Sequence, residues 1–168
     1  MRTLAVDTST QSGSLAVVER LYAGSGRAEP FTRVLAVVAT STEETHSSRM
    51  FRHLEWLLRE TGLGLDGLDL FTVAAGPGSF TGLRVGLAAV KGWAEVYRKP
   101  VAAISALEAV AAQARTAEQL LVPVVDARRG QVYAGLYERD EHGLVRRGDE
   151  VVMTLPEFLH ELATRVED

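Results

Sequence analysis

Hydrophobic and polar residues follow two different periods along the chain, and each change of period marks the border of a predicted element. Period-two runs typical of strands are predicted at Met1–Asp7, Ser14–Glu19, Arg33–Ala39, Leu70–Ala74, Val101–Ile104, Leu120–Val125, Gln131–Glu138 and Val145–Met153. Helical spacing is predicted from about Thr42 to Glu60, after the fourth strand, at Ser105–Arg115 and from Pro156 onward. A loop containing Gly24, Gly26 and Pro30 separates the second and third strands. This order predicts an α/β protein.

The segment from Gly76 to Tyr97 is a glycine-rich turn that runs straight into a helix, with Ser79 or Thr81 available as its N-cap. On a helical wheel its charged residues share one stripe about 60° wide, and the other directions are apolar or glycine. That stripe contains Arg84, Lys91, Glu95 and Arg98. A helix on one sheet buries a stripe of about 100°, so this helix needs a second cover. Periodicity leaves open whether another protein or another helix of this chain provides it.

The glycines of this segment have two readings. Gly82 and Gly86 lie one turn apart and would let another helix approach closely. Gly76, Gly78 and Gly82 could present backbone N–H groups to a phosphate, or they could serve positive φ angles and close packing on the sheet. The segment lacks the Gly-Lys-Ser/Thr ending of a Walker A loop and the Gly-x-Ser-x-Gly pattern of a nucleophile elbow, which excludes both motifs.

The helix predicted near Thr42–Glu60 carries an apolar stripe for packing on the sheet, formed by Met50, Phe51, Leu54, Leu57 and Leu58. Trp56 lies on its opposite side and is a second candidate for a partner surface. His46 and His53 are seven residues apart, about 10 Å along the axis, so they cannot share one metal ion. Solvated surface roles are expected for His142 and His160.

Composition and charge restrict the classes of function. The 168 residues suit one ordinary domain or two small lobes, and the absence of cysteine excludes disulfides, thiolate metal sites and a cysteine nucleophile. A net charge of −4 predicts a poor nucleic-acid binder, although Arg128, Arg129, Arg146 and Arg147 leave direct tRNA binding as a weak possibility. With no expected signal peptide and no apolar run near ~18 residues, a cytoplasmic protein without a membrane segment is expected.

One pattern occurs twice along the chain: a strand ending in aspartate, a polar turn and a second strand. It appears at Asp7 and again at Asp126, which predicts two related lobes, residues 1–104 and 105–168. Such a duplication resembles the actin-like ATPase superfamily. More closely, several motifs taken in order resemble the TsaB (YeaZ) family: Leu4–Ser9, His46-Ser47, Gly76–Gly86, Ala89–Gly92 and Val125–Arg128.

The resemblance implies a duplicated actin-like ATPase (ribonuclease H-like) fold with a short or truncated second lobe. It also implies a non-catalytic scaffold that pairs with its paralogue TsaD for N6-threonylcarbamoylation of adenosine 37 in tRNA. The ATPase TsaE would join through the assembly, tRNA would be met only through the complex, and the chain alone would form a homodimer. The implied partner interface comprises Trp56, Gly82, Leu83, Gly86, Leu87, Val90, Trp93, Ala94 and Tyr97. Trp93→Arg or Val90→Glu is expected to abolish pairing and leave the monomer folded.

The same resemblance bears on catalysis. The catalytic sister carries a His-x-x-x-His metal pair where this chain has Ala106 and Val110, so no metal is expected. No cofactor is expected in the isolated chain, and ATP or ADP only together with the partner. The residues that could face a phosphate are Asp7, Thr8, Ser9, Gly76, Gly78, Ser79 and Asp126.

The alternative is an actin-like kinase or ATPase that uses Asp7 and Asp126 to organise Mg²⁺ and water. Thr8-Ser9-Thr10 replaces the glycine that follows the aspartate in active members of the superfamily, and the chain ends at Asp168, before their adenosine pocket. Both features count against a self-sufficient ATPase. A glycoprotease is not expected either, because no serine has a recognisable base beside it in the sequence.

Overall fold

The structure is a computed structural model that describes residues 1–22, 30–42, 44–141 and 143–166. The predicted loop with Gly24 and Gly26 and the expected surface role of His142 lie outside these ranges. The chain divides into two compact units, Met1–Ile104 and Ser105–Asp168. No helix within the described ranges has the length and apolar character needed to cross a membrane.

The first unit is built on a five-stranded sheet with the order β3-β2-β1-β4-β5. Its strands are β1 (Arg2–Asp7), β2 (Ser12–Leu21), β3 (Phe31–Ser41), β4 (Leu70–Gly76) and β5 (Val101–Ser105). Strand β1 pairs antiparallel with β2 and parallel with β4, and β2 pairs antiparallel with β3. Helix α1 (His46–Thr61) connects β3 to β4, and α2 (Phe80–Tyr97) connects β4 to β5. This arrangement is the ribonuclease H-like fold of actin-like proteins, as predicted.

The core of the first unit forms where both helices cover one face of the sheet. Alternate strand residues point to that face because side chains in a strand alternate with period two. The buried cluster comprises Leu4, Val6, Leu15, Val17, Phe71 and Val73 from the strands, Met50, Leu54 and Leu57 from α1, Val90 from α2, and Leu68. Phe51 was predicted to join this stripe, but its side chain is 56% exposed, so that prediction was wrong.

The ends of the two helices have identifiable causes. Helix α1 ends at Gly62, which takes the left-handed conformation at φ 65° and donates its N–H to the Arg59 carbonyl. Of the two predicted N-caps of α2, Ser79 is the one used, since its Oγ accepts the N–H of Gly82 at 3.3 Å. The start of α2 is thereby placed directly after β4, beside the end of β1.

The second unit contains short strands in two three-stranded sheets. Its elements are α3 (Ala106–Ala112), β6 (Leu120–Leu121), β7 (Val124–Arg128), β8 (Gln131–Ala134), β9 (Tyr137–Asp140), β10 (Gly143–Arg146), β11 (Val151–Thr154) and α4 (Leu155–Val166). The sheet orders are β10-β9-β6 and β11-β8-β7. The single strands predicted at Gln131–Glu138 and Val145–Met153 each proved to be two strands in different sheets. The first divides at Gly135, whose N–H leaves the ladder to bond the Pro123 carbonyl at 3.3 Å.

The sheet β11-β8-β7 repeats the arrangement β3-β2-β1 of the first unit. Strands β1 and β7 each carry an aspartate, Asp7 and Asp126, whose Oδ1 accepts the N–H two residues later, from Ser9 at 2.8 Å and from Arg128 at 2.7 Å. A helix then follows the third strand, and α4 begins with a capping box in which Thr154 and Glu157 exchange hydrogen bonds. Within its described residues, the second unit repeats the first three strands and the first helix of the first unit as β7, β8, β11 and α4.

Candidate partner interface

Helix α2 lies unusually close to the end of β1, and glycine makes that approach possible. A Cβ atom built on Gly82 would lie 2.1 Å from the Thr8 carbonyl oxygen, and one on Gly86 would lie 2.4 Å from the Thr8 Oγ1. A Cβ on Gly78 would lie 2.3 Å from the Ser9 carbonyl oxygen. These contacts favour the close-packing reading of the motif, because each glycine removes a side chain where backbone meets backbone.

The turn between β1 and β2 is held by both helices. From α2, the Ser79 N–H donates to the Ser9 carbonyl at 2.6 Å, and the Thr8 hydroxyl donates to the Gly82 carbonyl at 2.8 Å. From α1, His46 Nε2 donates to the Thr10 carbonyl at 2.7 Å. The carbonyl groups of the turn are therefore engaged by protein donors.

Arg49 is the buried anchor of this arrangement. The residue is only 2% exposed. Its guanidinium donates from Nη2 to the Gln11 carbonyl at 2.6 Å and from Nη1 to the Thr42 hydroxyl at 3.0 Å. Nη2 also lies 3.0 Å from His46 Nδ1, so that nitrogen accepts and the ring carries its hydrogen on Nε2. Arg49 and His46 thus couple the first turns of α1 to the β1–β2 turn.

The residues expected to face a phosphate come together at this point, but most are enclosed. Thr8 and Ser9 are buried beneath the start of α2, so their burial does not support their prediction as phosphate-facing residues. Gly78 is packed against Ser9, and the Ser79 N–H is already bonded. Asp7 is half-buried and accepts from Ser9, and Gly76 holds φ 120° at the end of β4. Asp126 belongs to the second unit and is exposed.

Helix α2 turns a different face outward from the one predicted. Gly82, Gly86 and Val90 are buried against the sheet, so their burial does not support their prediction as partner contacts. Glycine lets α2 approach its own sheet at this strip, and no partner can reach it. Leu83, Leu87, Trp93 and Ala94 are half-buried, and all but Leu83 pack against the core of the unit. Tyr97 is exposed at the end of the helix.

Trp93 is part of the packing between α2, α1 and the sheet. Its ring meets Phe51 of α1 edge-on at a centroid distance of 6.4 Å and lies 6.1 Å from Phe71 of β4. Helix α1 of the same chain therefore covers part of the apolar surface of α2 that the sheet does not cover. Val90→Glu and Trp93→Arg would accordingly disturb the core, contrary to the expectation that they leave the monomer folded.

The outward face of the two helices combines small and apolar residues. Ala88 and Gly92 are exposed in the middle of α2, and Val96 is 73% exposed near its end. On α1, Phe51 and Trp56 are exposed. Sequence reasoning did not include Phe51, Phe80, Ala88, Gly92 and Val96 among the candidate interface residues. The helical wheel of α2 held a signal for some of them, because Ala88 and Gly92 lie on the side opposite Gly82 and Gly86.

Charges on this layer differ between the helices. On α1, Arg52 pairs with Glu44 at 2.7 Å and Arg59 pairs with Glu55 at 3.2 Å. The hydrogen bond from Arg52 lowers the pKa of Glu44. Burial, assisted by Arg49 and Arg52, lowers the pKa of His53, which favours its neutral form. The cations of α2 have no such pairing: in the described part of the chain, no carboxylate oxygen lies within 4.0 Å of the charged groups of Arg84, Lys91 or Arg98.

A polar cluster in the second unit was also missed by sequence reasoning. The hydroxyls of Ser105 and Tyr137 both donate to the same carboxylate oxygen of Glu150. Contrary to expectation, a serine therefore does stand beside a carboxylate. Ser105 Oγ also accepts the N–H groups of Leu107 at 3.1 Å and Glu108 at 3.3 Å as the N-cap of α3. With its lone pairs engaged in this way, the serine is placed as a cap and not as a nucleophile.

Tyr137 gives this cluster a measurable dependence on pH. Burial, with the hydrogen bond to Glu150, raises the pKa of Tyr137 to about 12. A tyrosine in the unfolded chain titrates near 10, so the stabilisation is complete below pH ~10 and is lost as pH rises toward 12. We expect a loss of roughly 2 to 3 kcal/mol across that window. Urea unfolding at successive pH values will measure it.

The alkaline loss should disappear in Tyr137→Phe. Tyr133→Phe in the neighbouring strand β8 is the matched control, and it should keep the wild-type dependence because the Glu150 contacts are intact. Equal slopes for the wild type and Tyr137→Phe would contradict the assignment.

Comparisons with known proteins give a consistent result. A family model described as TsaD, tRNA N6-adenosine threonylcarbamoyltransferase, matches residues 33–163. The tRNA threonylcarbamoyladenosine biosynthesis protein TsaB of Bacillus subtilis is 36% identical over 138 residues, covering 82% of this chain and 56% of that protein. The protein of the same name from Escherichia coli is 28% identical over 163 residues, covering 96% of this chain and 65% of that protein. The chain thus spans between about half and two thirds of the length of these relatives.

A solved structure agrees with these relatives. YeaZ from Pseudomonas aeruginosa superposes with a TM-score of 0.74 at 29% sequence identity, covering 90% of this chain and 67% of that chain. The similarity therefore extends over both units of the fold.

Proposed function

This chain belongs to the TsaB (YeaZ) family, and from that membership we propose that it is a non-catalytic subunit in the biosynthesis of N6-threonylcarbamoyladenosine in tRNA. It pairs with a transferase paralogue of the TsaD type, which carries out the chemistry at adenosine 37. The ATPase TsaE acts on the assembly, and the chain contacts tRNA only indirectly, through that assembly. Alone, the chain forms a homodimer through the same surface.

The observation that carries this proposal is the outward face of α1 and α2. Its centre consists of Ala88 and Gly92 of α2, whose small size lets a second helix approach closely. Phe80 and Val96 provide large exposed apolar side chains on the exposed side of α2, and Trp56 is exposed on α1. Small residues flanked by large apolar ones on an exposed helix suit a helix-to-helix interface.

The residues at the positions of the metal and phosphate sites support a non-catalytic role, because their side chains suit neither ligand. The metal pair of the catalytic sister would fall on Ala106 and Val110 in α3, whose side chains offer no ligand atoms, so these residues do not fit a metal. The β1–β2 turn does not fit a nucleotide phosphate either, since α2 covers Thr8 and Ser9. The actin-like kinase is therefore not favoured, and calorimetric titration of the isolated chain with Mg-ATP should give no binding heat.

The pairing is tested by size-exclusion chromatography with light scattering, on the chain alone and mixed with the TsaD-type paralogue from the same source. We expect a complex that replaces the homodimer. In Ala88→Arg, a long charged side chain stands at the centre of the face, and the affinity should fall at least tenfold, about 1.4 kcal/mol. Thermal unfolding, measured at concentrations at which both proteins are monomeric, should be unchanged because Ala88 is exposed.

Ala109→Arg is the matched control, an exposed alanine on α3 in the other unit. It should pair like the wild type. A full-strength complex with Ala88→Arg, or no complex with the wild-type chain, would overturn the proposed interface.

A further inference from the structure

The exposed side of α2 carries a row of cations at regular spacing. Arg84 and Lys91 are seven residues apart, about 10.5 Å along one side of α2, and Arg98 follows seven residues later as the left-handed C-cap that ends the helix. All three are exposed, and within the described ranges none has a carboxylate within 4.0 Å. We call Arg84, Lys91 and Arg98 the basic row.

The row borders the small-residue centre of the proposed interface. Ala88 lies one turn after Arg84, and Gly92 follows Lys91 directly. Arg84 is held in place by Phe80, whose ring centroid lies 4.1 Å from the guanidinium carbon, while that ring remains 68% exposed. A helix that packs on Ala88 and Gly92 therefore meets at least Arg84 and Lys91.

Helix α1, the other half of the layer, does not share this excess of charge. Arg52 and Arg59 are each neutralised by a carboxylate of the same chain. The unpaired charges on this layer are therefore the three cations of the basic row against two exposed carboxylates, Glu95 of α2 and Glu60 of α1, which leaves an excess of positive charge.

Resting on the proposed function, we infer that the basic row selects a partner whose facing helix presents carboxylates, in preference to a second copy of this chain. In a pair of identical copies, each face brings three unpaired cations and two unpaired carboxylates to the other, and the excess of like charges across an interface is unfavourable. An acidic partner turns the same row into an attraction. The heterodimer thus displaces the homodimer through charge as well as shape.

RNA is the other polyanion that a basic row could meet. Two features favour a protein partner: Glu95 lies among the cations, where it would repel a phosphate backbone, and Ala88 and Gly92 form a close-packing surface that a phosphate backbone does not need.

The test compares two double variants that remove the same charge from the same layer. Arg84→Gln/Lys91→Gln removes cations of the row, and Arg52→Gln/Arg59→Gln removes paired cations of α1. We expect the first to weaken binding of the TsaD-type paralogue at least tenfold at low ionic strength and to leave homodimerisation as strong or stronger. The control should stay within about twofold of the wild type, and at ~1 M salt, where the Debye length is about 3 Å, the variants should converge.

Each other outcome counts against the inference in a distinct way. Equal losses in both variants, or a loss that salt does not reduce, would overturn selection by charge while leaving pairing intact. Loss of labelled tRNA binding in Arg84→Gln/Lys91→Gln with unchanged pairing would assign the row to RNA. Absence of any complex with the wild-type chain would overturn the proposed function and this inference together.

Discussion

Gly82→Ala is expected to lower the free energy of unfolding by about 3 kcal/mol. The added Cβ would lie 2.1 Å from the Thr8 carbonyl oxygen, which belongs to backbone directly after β1. That backbone is difficult to displace, since β1 is bonded to β2 on one side and to β4 on the other. Alanine gains up to about 1 kcal/mol of helix propensity at such a position, and the steric cost exceeds this gain. Urea denaturation will measure the difference.

Gly92→Ala in the same helix is the matched control. Nothing lies within 4 Å of a Cβ built there, so the substitution changes only the intrinsic helix propensity of the position. Its free energy of unfolding should rise by up to about 1 kcal/mol. Opposite signs for the two substitutions would establish that α2 touches the sheet at Gly82, whereas two stabilised variants would mean that the contact is looser than described.

Arg49→Met should be destabilised by about 3 kcal/mol even though methionine suits the hydrophobic surroundings. The substitution leaves the Gln11 carbonyl without its 2.6 Å donor and leaves His46 Nδ1 without a donor at all. A buried acceptor that loses its partner costs roughly 1 to 3 kcal/mol, more when the lost donor is charged. The expected total exceeds the desolvation relief from removing the cation, because three acceptors lose a donor: the Gln11 carbonyl, His46 Nδ1 and the Thr42 hydroxyl.

Arg59→Met is the control for Arg49→Met, since Arg59 sits on the same helix in an exposed pair with Glu55. Exposed pairs contribute about 0 to 1 kcal/mol, so the control should unfold close to the wild type. Hydrogen exchange at Thr10 and Gln11 adds a local readout: these amides should exchange faster in Arg49→Met only. Unchanged exchange would mean that α1 does not hold the turn.

The sequence predicted those features that depend on local periodicity. Leu4 and Val6 alternate as a buried strand, the Asp7 pattern returns at Asp126, and the charged stripe of α2 does lie in solvent. Each follows from neighbours within a few residues, and periodicity records such neighbours directly.

The site proved harder to predict because a helical wheel gives relative directions and not the direction of the sheet. Gly82 and Gly86 were taken to admit another helix, while in the structure they admit β1. Because Gly82 and Gly86 face the sheet, Val90 on the same side of α2 is buried in the core, and Ala88 on the other side is exposed. The contact of Ser105 with Glu150 could not be predicted from the sequence for another reason. The two residues are 45 positions apart, and no local pattern indicates that they are hydrogen-bonded.

The two aspartate-containing hairpins differ in how freely they can be altered. Residues 8–11 are hydrogen-bonded to both helices, so an extra residue there would displace several bonded carbonyl groups. The second hairpin closes through Arg129 and Gly130 at φ 53° and 76°, and a Cβ on Gly130 would touch nothing within 4 Å. Exposed loop tips of this kind accept insertions. An affinity tag or fluorophore placed between Arg129 and Gly130 would therefore label the second unit without altering any residue of α1 or α2.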